Sequence, residues 1–182
     1  MKRHHFTLTE LLTVIAIIAI LAGIGVPATV AGLRKAAKGQ AKHDCSIIRL
    51  ALEQYMNTYV SFKKLESQTG GETPEVTKVT ETIDGKSCSW YTFDTSAGTV
   101  MNALTGTQNA QLNPRGIKFL DKRPDAADSA WLDPWGHVYH VIVVAPGGEK
   151  AKYDGQVLNG RVFVYSDGLT ANTSDDIKSW SN

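Results

Sequence analysis

Phe6-Thr7-Leu8-Thr9-Glu10-Leu11-Leu12-Thr13-Val14-Ile15-Ala16-Ile17-Ile18-Ala19-Ile20-Leu21-Ala22 is the stretch that decides how this chain is read. It is apolar on every side, and bulky apolar residues continue at Ile24 and Val26 up to Pro27. A helix needs about 20 such residues to cross the hydrocarbon core of a bilayer. The basic start, Met1-Lys2-Arg3-His4-His5, places that end in the cytoplasm, where Lys and Arg are retained. The chain then reads as single-pass in the inner membrane, with its C-terminal bulk periplasmic or extracellular.

One residue breaks the apolar run. Glu10 puts a carboxylate where charge costs several kcal/mol even on lenient insertion scales. Two readings stay open. Near the end of the span its head can snorkel to the interface. Alternatively it has a partner: it lies four residues after Phe6, and a cut before Phe6 would create an α-amino group. That amine, on a neighbouring copy, would neutralise Glu10 within the membrane.

Beyond the apolar run the pattern turns amphipathic. Leu33, Ala37, Ala41, Cys45, Ile48, Leu52, Tyr55 and Tyr59 recur every three or four residues, which marks one helical face. Residues 7 to about 62 are predicted to form one helix, at 1.5 Å per residue roughly 80 Å long. Gly23, Gly25 and Pro27 are its weak points, with a kink at Pro27.

Residues 63–75 read as a loop. Val76–Ile83 and Lys86–Phe93 flank Asp84-Gly85, a strong hairpin signal. Thr95 or Ser96 is placed to cap a short helix carrying Val100, Met101 and Leu104 and ending near Gly106. Asp133-Pro134-Trp135-Gly136 is a turn, and His137–Val144 and Arg161–Tyr165 alternate as paired strands. The tail is read as irregular. The fold class is α+β: a long N-terminal helix, half transmembrane and half amphipathic, packed on a small antiparallel sheet.

The stretch from Phe6 to Ala22 resembles the class III signal of type IV prepilins and type II secretion pseudopilins. Asp133-Pro134-Trp135-Gly136-His137-Val138-Tyr139 is similar to the turn and strand of major pseudopilins. Val164-Tyr165-Ser166-Asp167-Gly168 followed by Asp176-Ile177 resembles their C-terminal loop, and Asn113-Pro114-Arg115 their segment ahead of the turn. The resemblance implies a pilin-like fold divided into a leader at 1–5, a transmembrane helix at 6–30 and an extracytoplasmic domain at 31–182. It implies cleavage by a prepilin peptidase between His5 and Phe6, N-methylation of Phe6, and a role for Glu10 in recruiting and registering the next subunit. The implied partners are further copies, other pilin-like subunits, an inner-membrane assembly platform and membrane lipid. In one respect the chain departs from the family, which has Gly before the cut where this sequence has His5.

The function this implies is structural: a subunit of a type IV pilus-like or type II secretion pseudopilus assembly. The alternative is an anchored extracytoplasmic binding or adhesion protein that does not polymerise, for which His5 is the clue. An ordinary secretory peptide cut near Ala28 or Ala31 is a rival to both. Its apolar core is typically 7–15 residues, shorter than this run and without a Glu10.

The 182 residues carry a formal net charge of +1. Scattered Lys and Arg give no footprint for nucleic acid. No catalytic constellation is apparent: Ser166 and Ser174 lack a nucleophile elbow, and His43, His137 and His140 form no ligand pair, the last two being three apart on a strand and so on opposite faces. The chain is not read as an enzyme and needs no cofactor. Cys45 and Cys88 are either a disulfide, given an extracytoplasmic domain, or two separate thiols. Asp167, Asp175 and Asp176 lie in an oxygen-rich tail, the kind of loop that suits calcium. Major pseudopilins use their corresponding loop for calcium, and the alternative is an acidic turn held by solvent.

Overall fold

The structure is a computed structural model that describes residues 7–59, 76–108, 112–121, 131–170 and 176–180, without the side chains of residues 24–28. Helix α1, Leu8–Tyr59, runs unbroken through Gly23, Gly25 and Pro27. A proline removes one intrahelical hydrogen bond, which a long helix tolerates without ending. The chain divides into two compact units, Met1–Gly39 and Gln40–Asn182.

In the first unit the described bulky apolar side chains are exposed, Leu8 at 78% and Ile20 at 64% among them. Among the described residues no helix is long and apolar enough to cross a membrane. The first stretch of described side chains stops at residue 23, seventeen residues counted from Thr7, while a span takes about 20. In the sequence the run continues through Ile24 and Val26.

In the second unit, Gln40–Tyr59 of α1 packs on an antiparallel sheet. The amphipathic stripe is buried from Ala41 onward, at Cys45, Ile48, Leu52 and Tyr55. Leu33, predicted to belong to it, is exposed and falls in the first unit. The stripe therefore begins where the domain begins. Burying each Ile or Leu here is worth about 1.5–3 kcal/mol.

Strands β1 (Thr77–Ile83) and β2 (Lys86–Asp94) form the predicted hairpin. Asp84 and Gly85 both have positive φ, 52° and 75°, as a type I′ turn requires. The short helix α2 is Gly98–Leu104. Neither Thr95 nor Ser96 caps it: the residue at its N-cap is Ala97, with no side-chain bond. Thr95 is buried and its hydroxyl donates to the Trp131 carbonyl at 2.5 Å, while the Ser96 amide donates to Asp94 Oδ1 at 2.8 Å. Gly106, at φ 95°, ends the helix as expected.

Strand β3 (Tyr139–Val144) pairs with β6 (Val162–Ser166), as predicted, and with β2 on its other side. Between β3 and β6 lies a second hairpin, β4 (Lys150–Tyr153) and β5 (Gln156–Asn159), that the strand reading left unassigned. The tail contributes β7 (Ile177–Lys178), which pairs with β6. The main sheet runs β1-β2-β3-β6-β7. Its helix side carries Tyr91, Phe93, Tyr139, Val141, Val143 and Val164 in one core. Its other side carries Trp90, Ile142, Val144 and Phe163 under Ala151 and Leu158 of the β4–β5 hairpin. Buried on both faces, β3 reads as Tyr-His-Val-Ile-Val-Val, nearly all apolar, rather than as an alternating strand.

Candidate functional site

The N-terminal candidates come first. His5 and Phe6, the expected cleavage and methylation position, lie outside the described residues. Pro27 lies within α1, and its side chain is also outside them. Glu10 is described, and its carboxylate is engaged by its own chain. Glu10 Oε2 accepts from the Thr7 amide at 2.8 Å and from the Thr7 hydroxyl at 2.7 Å. The Glu10 amide in turn donates to Thr7 Oγ1 at 3.3 Å. This is a capping box, Thr7-x-x-Glu10, with Thr7 as N-cap and Glu10 as the third helical residue. It satisfies donors that the first turn of a helix leaves open. The spacing of Thr and Glu ahead of an apolar run is the signal that the sequence reading did not use.

The second cluster holds the helix, the Asp133 turn and the C-terminal loop together inside the domain. Asp133 is buried. Its Oδ1 accepts from the Trp135 amide at 2.9 Å and the His137 amide at 2.8 Å, closing the turn. Its Oδ2 accepts from the Ser166 hydroxyl at 2.6 Å, and Ser166 Oγ accepts from the Gly168 amide at 3.1 Å. Ser166 is thus a structural hydroxyl between a turn and a loop. Nearby, the Tyr139 hydroxyl donates to Asp44 Oδ2 on α1 at 2.9 Å, both groups buried. Burial, then the Asp44 charge, pushes the Tyr139 hydroxyl far above its usual range. Cys45 adjoins this seam, its thiol 3.6 Å from the Ile177 carbonyl. Burial first, then Asp44 and Asp133, push the thiol up to about 12.

Cys45 and Cys88 are both free. The disulfide considered from the sequence is not formed, because the two lie on opposite sides of the sheet. Cys45 belongs to the helix-side core, whereas Cys88 packs with the core beneath the β4–β5 hairpin.

Asp167 and Asp176 each have a partner. Asp167 Oδ2 lies 3.2 Å from His140 Nε2. Asp176 accepts from the Tyr153 hydroxyl and lies 4.0 Å from Lys178 Nζ, with its side chain 2% exposed. Asp175 lies outside the described residues. Among the described residues no three His, Cys, Asp or Glu side chains form a group that could hold a metal ion. Asp167 faces an imidazole, and Asp176 a phenol and an ammonium. The expected strand alternation of His137 and His140 does not apply, because β3 begins at Tyr139 and His137 precedes it; both touch this loop. His137 Nδ1 is 3.1 Å from the Gly168 carbonyl, and His140 stacks on Tyr165 at 4.8 Å between centroids. His43 is exposed on α1.

The outer face of the sheet, beside the β4–β5 hairpin, carries a groove of about 540 Å³. Glu81, Asp94, His140, Tyr153, Asp154 and Tyr165 contribute to its walls, and Trp90 and Ile142 to its floor. No residue pattern points to it, because four-residue β4 and β5 are too short to show an apolar pattern of their own.

Comparison with protein-family models, with curated proteins and with solved structures finds no match for this chain.

Proposed function

We propose that this chain is a structural subunit of a type IV pilus-like or type II secretion pseudopilus assembly. In this reading it is anchored by the segment from Phe6 to Val30 and polymerises through the same helix. The carrying observation is that the apolar half of α1 leaves its side chains exposed while the same helix continues into a packed α+β domain. A face of that kind is stable only in lipid or against other apolar helices. The prepilin-like order of residues from Phe6 to Ala22 favours both together. Its partners are further copies, a prepilin peptidase, an assembly platform and membrane lipid.

The second reading, an anchored binding protein that does not polymerise, is favoured by His5 and by the Thr7–Glu10 box, which occupies Glu10 without a neighbouring copy. Glu10 separates the two. A capping box accepts Gln as well as Glu, so Glu10→Gln keeps the cap and removes the charge. If assembly pairs Glu10 with the amine of Phe6, Glu10→Gln and Glu10→Ala both lose assembly at least tenfold, read by crosslinking between N-terminal helices. Membrane insertion and the cut before Phe6, read by mass spectrometry, survive in both. Wild-type assembly by Glu10→Gln would reduce Glu10 to a helix cap.

A further inference from the structure

The groove on the outer sheet face has a lining of mixed chemistry. Glu81, Asp94 and Asp154 bring three carboxylates, against the single ammonium of Lys152. That ammonium lies 3.3 Å from Glu81, so the groove's own cation is already balanced. Tyr153 and Tyr165 supply ring faces 4.5 Å apart between centroids. Beside them Lys178 Nζ sits 5.0 Å from the centre of the Tyr153 ring, so this aromatic cluster already accepts an ammonium on one side. Burial, then the charges of Asp167 and Asp176, hold the Tyr165 hydroxyl up at about 12. The surplus of carboxylates over ammonium in the lining favours positive charge in the groove.

The same chain carries the complementary surface. Between Glu10 and Asp44 the sequence has no acidic residue, yet it has Arg34, Lys35, Lys38 and Lys42. All four are exposed, and among the described residues none makes an ion pair. Arg34, Lys38 and Lys42 stand at successive intervals of four, on neighbouring turns of one helical face. Such a cation cluster just after a membrane segment on the extracytoplasmic side runs against the usual bias of Lys and Arg toward the cytoplasm. It calls for a counter-charge outside.

We propose that the groove of one copy receives Lys and Arg side chains from the Arg34–Lys42 stretch of a second copy. The inference rests on the reading of the chain as an assembly subunit and names the contact between subunits. Groove and helix stretch are different surfaces, so the contact is heterologous. Repeated with a rotation that does not close, it extends as an open helical filament instead of stopping at a two-fold dimer.

The test uses the full chain in detergent and a dye-labelled synthetic peptide of residues 30–43, followed by fluorescence anisotropy. Expected is saturable binding that weakens as salt rises and is lost when the four cations of the peptide are replaced by Glu. Asp94→Asn with Asp154→Asn weakens it roughly fivefold or more, in line with two exposed pairs. Asn tolerates the positive φ at position 154 and retains an acceptor at 94, so both changes suit the fold. Lys152→Gln removes the competing ammonium and tightens binding, a gain that damage to the fold does not produce. Binding indifferent to all three substitutions overturns the proposal. So does a peptide that binds anionic phospholipid vesicles but not the chain, which would assign the cations to lipid headgroups. If the peptide binds as expected while the intact chain never assembles, the assembly reading fails and the groove contact stands.

Discussion

Ile17 and Ile48 are the same residue on the same helix, and their surroundings are opposite. Ile17 is 52% exposed and Ile48 is fully buried. In the first unit every described bulky apolar side chain faces outward. In the second the apolar stripe closes onto a sheet. The difference shows that one continuous helix is written in two solvent codes. From Gln40 onward the chain supplies its own apolar environment, and before it the environment must come from elsewhere.

Paired substitutions break or confirm that contrast. Ile48→Ala opens a cavity and costs the domain about 2–5 kcal/mol, a drop in melting temperature of roughly 4–20 °C for a domain of this size. Ile17→Ala moves the same melt by no more than about 2 °C, as for a surface change. Calorimetry on the detergent-solubilised chain reads both, and equal shifts would mean that the first unit has a packed core after all.

A smaller effect separates the two faces of the sheet. Tyr139→Phe removes the hydroxyl from buried Asp44, at a cost of about 1–3 kcal/mol. Tyr153→Phe on the half-buried outer side costs less, about 1 kcal/mol, because the Lys178 ammonium 4.0 Å away still faces Asp176. Chemical denaturation of each variant checks the order, and the reverse order would put the stabilising polar seam on the wrong face.

How much of this was readable beforehand follows from what each signal depends on. Asp84-Gly85 announced its hairpin because both turn residues need positive φ, a local demand. Asp154-Gly155 makes the same demand, with φ of 47° and 74°, and was passed over because short β4 and β5 carry little apolar pattern of their own. The stripe on α1 was visible, but its start at Ala41 was not, since only the sheet decides where burial begins. Thr95 looked like a cap, whereas its hydroxyl bridges Trp131 and Tyr139 across the fold. The opposite placement of Cys45 and Cys88 depends on which side of a sheet each faces, and spacing along the chain does not record that. The Thr7–Glu10 box was fully local and could be read from four residues.

Alkaline pH gives a graded effect. Burial pushes Cys45 from its usual 9 up to about 12 and Tyr55 from 10 up to about 12. The fold favours the protonated forms, so their contribution is complete below about pH 9 and is lost as pH rises toward 12. The melting temperature is therefore flat up to about pH 9 and then declines, and Cys45→Ala moves the onset up toward 10. A decline that starts near neutrality would need another group. Least perturbing of all is thiol labelling at neutral pH. Half-buried Cys88 reacts in the native chain and Cys45 only after unfolding, and peptide mapping without reductant finds the two unlinked. A linked pair would contradict the sidedness of the sheet.

The contacts that cover α1 come from far along the chain. Asp44 waits for Tyr139, 95 residues later, and Cys45 for Ile177, 132 residues later. At a synthesis rate of about 5–20 residues per second, that is a delay of roughly 5–25 s. Through much of it the helix has left the ribosome with only β1 and β2 made, and without β3, β6 and β7 to complete the sheet over its apolar stripe. Such non-local closure is slow, so the newborn chain is most vulnerable to aggregation in the part that later becomes its best-packed core.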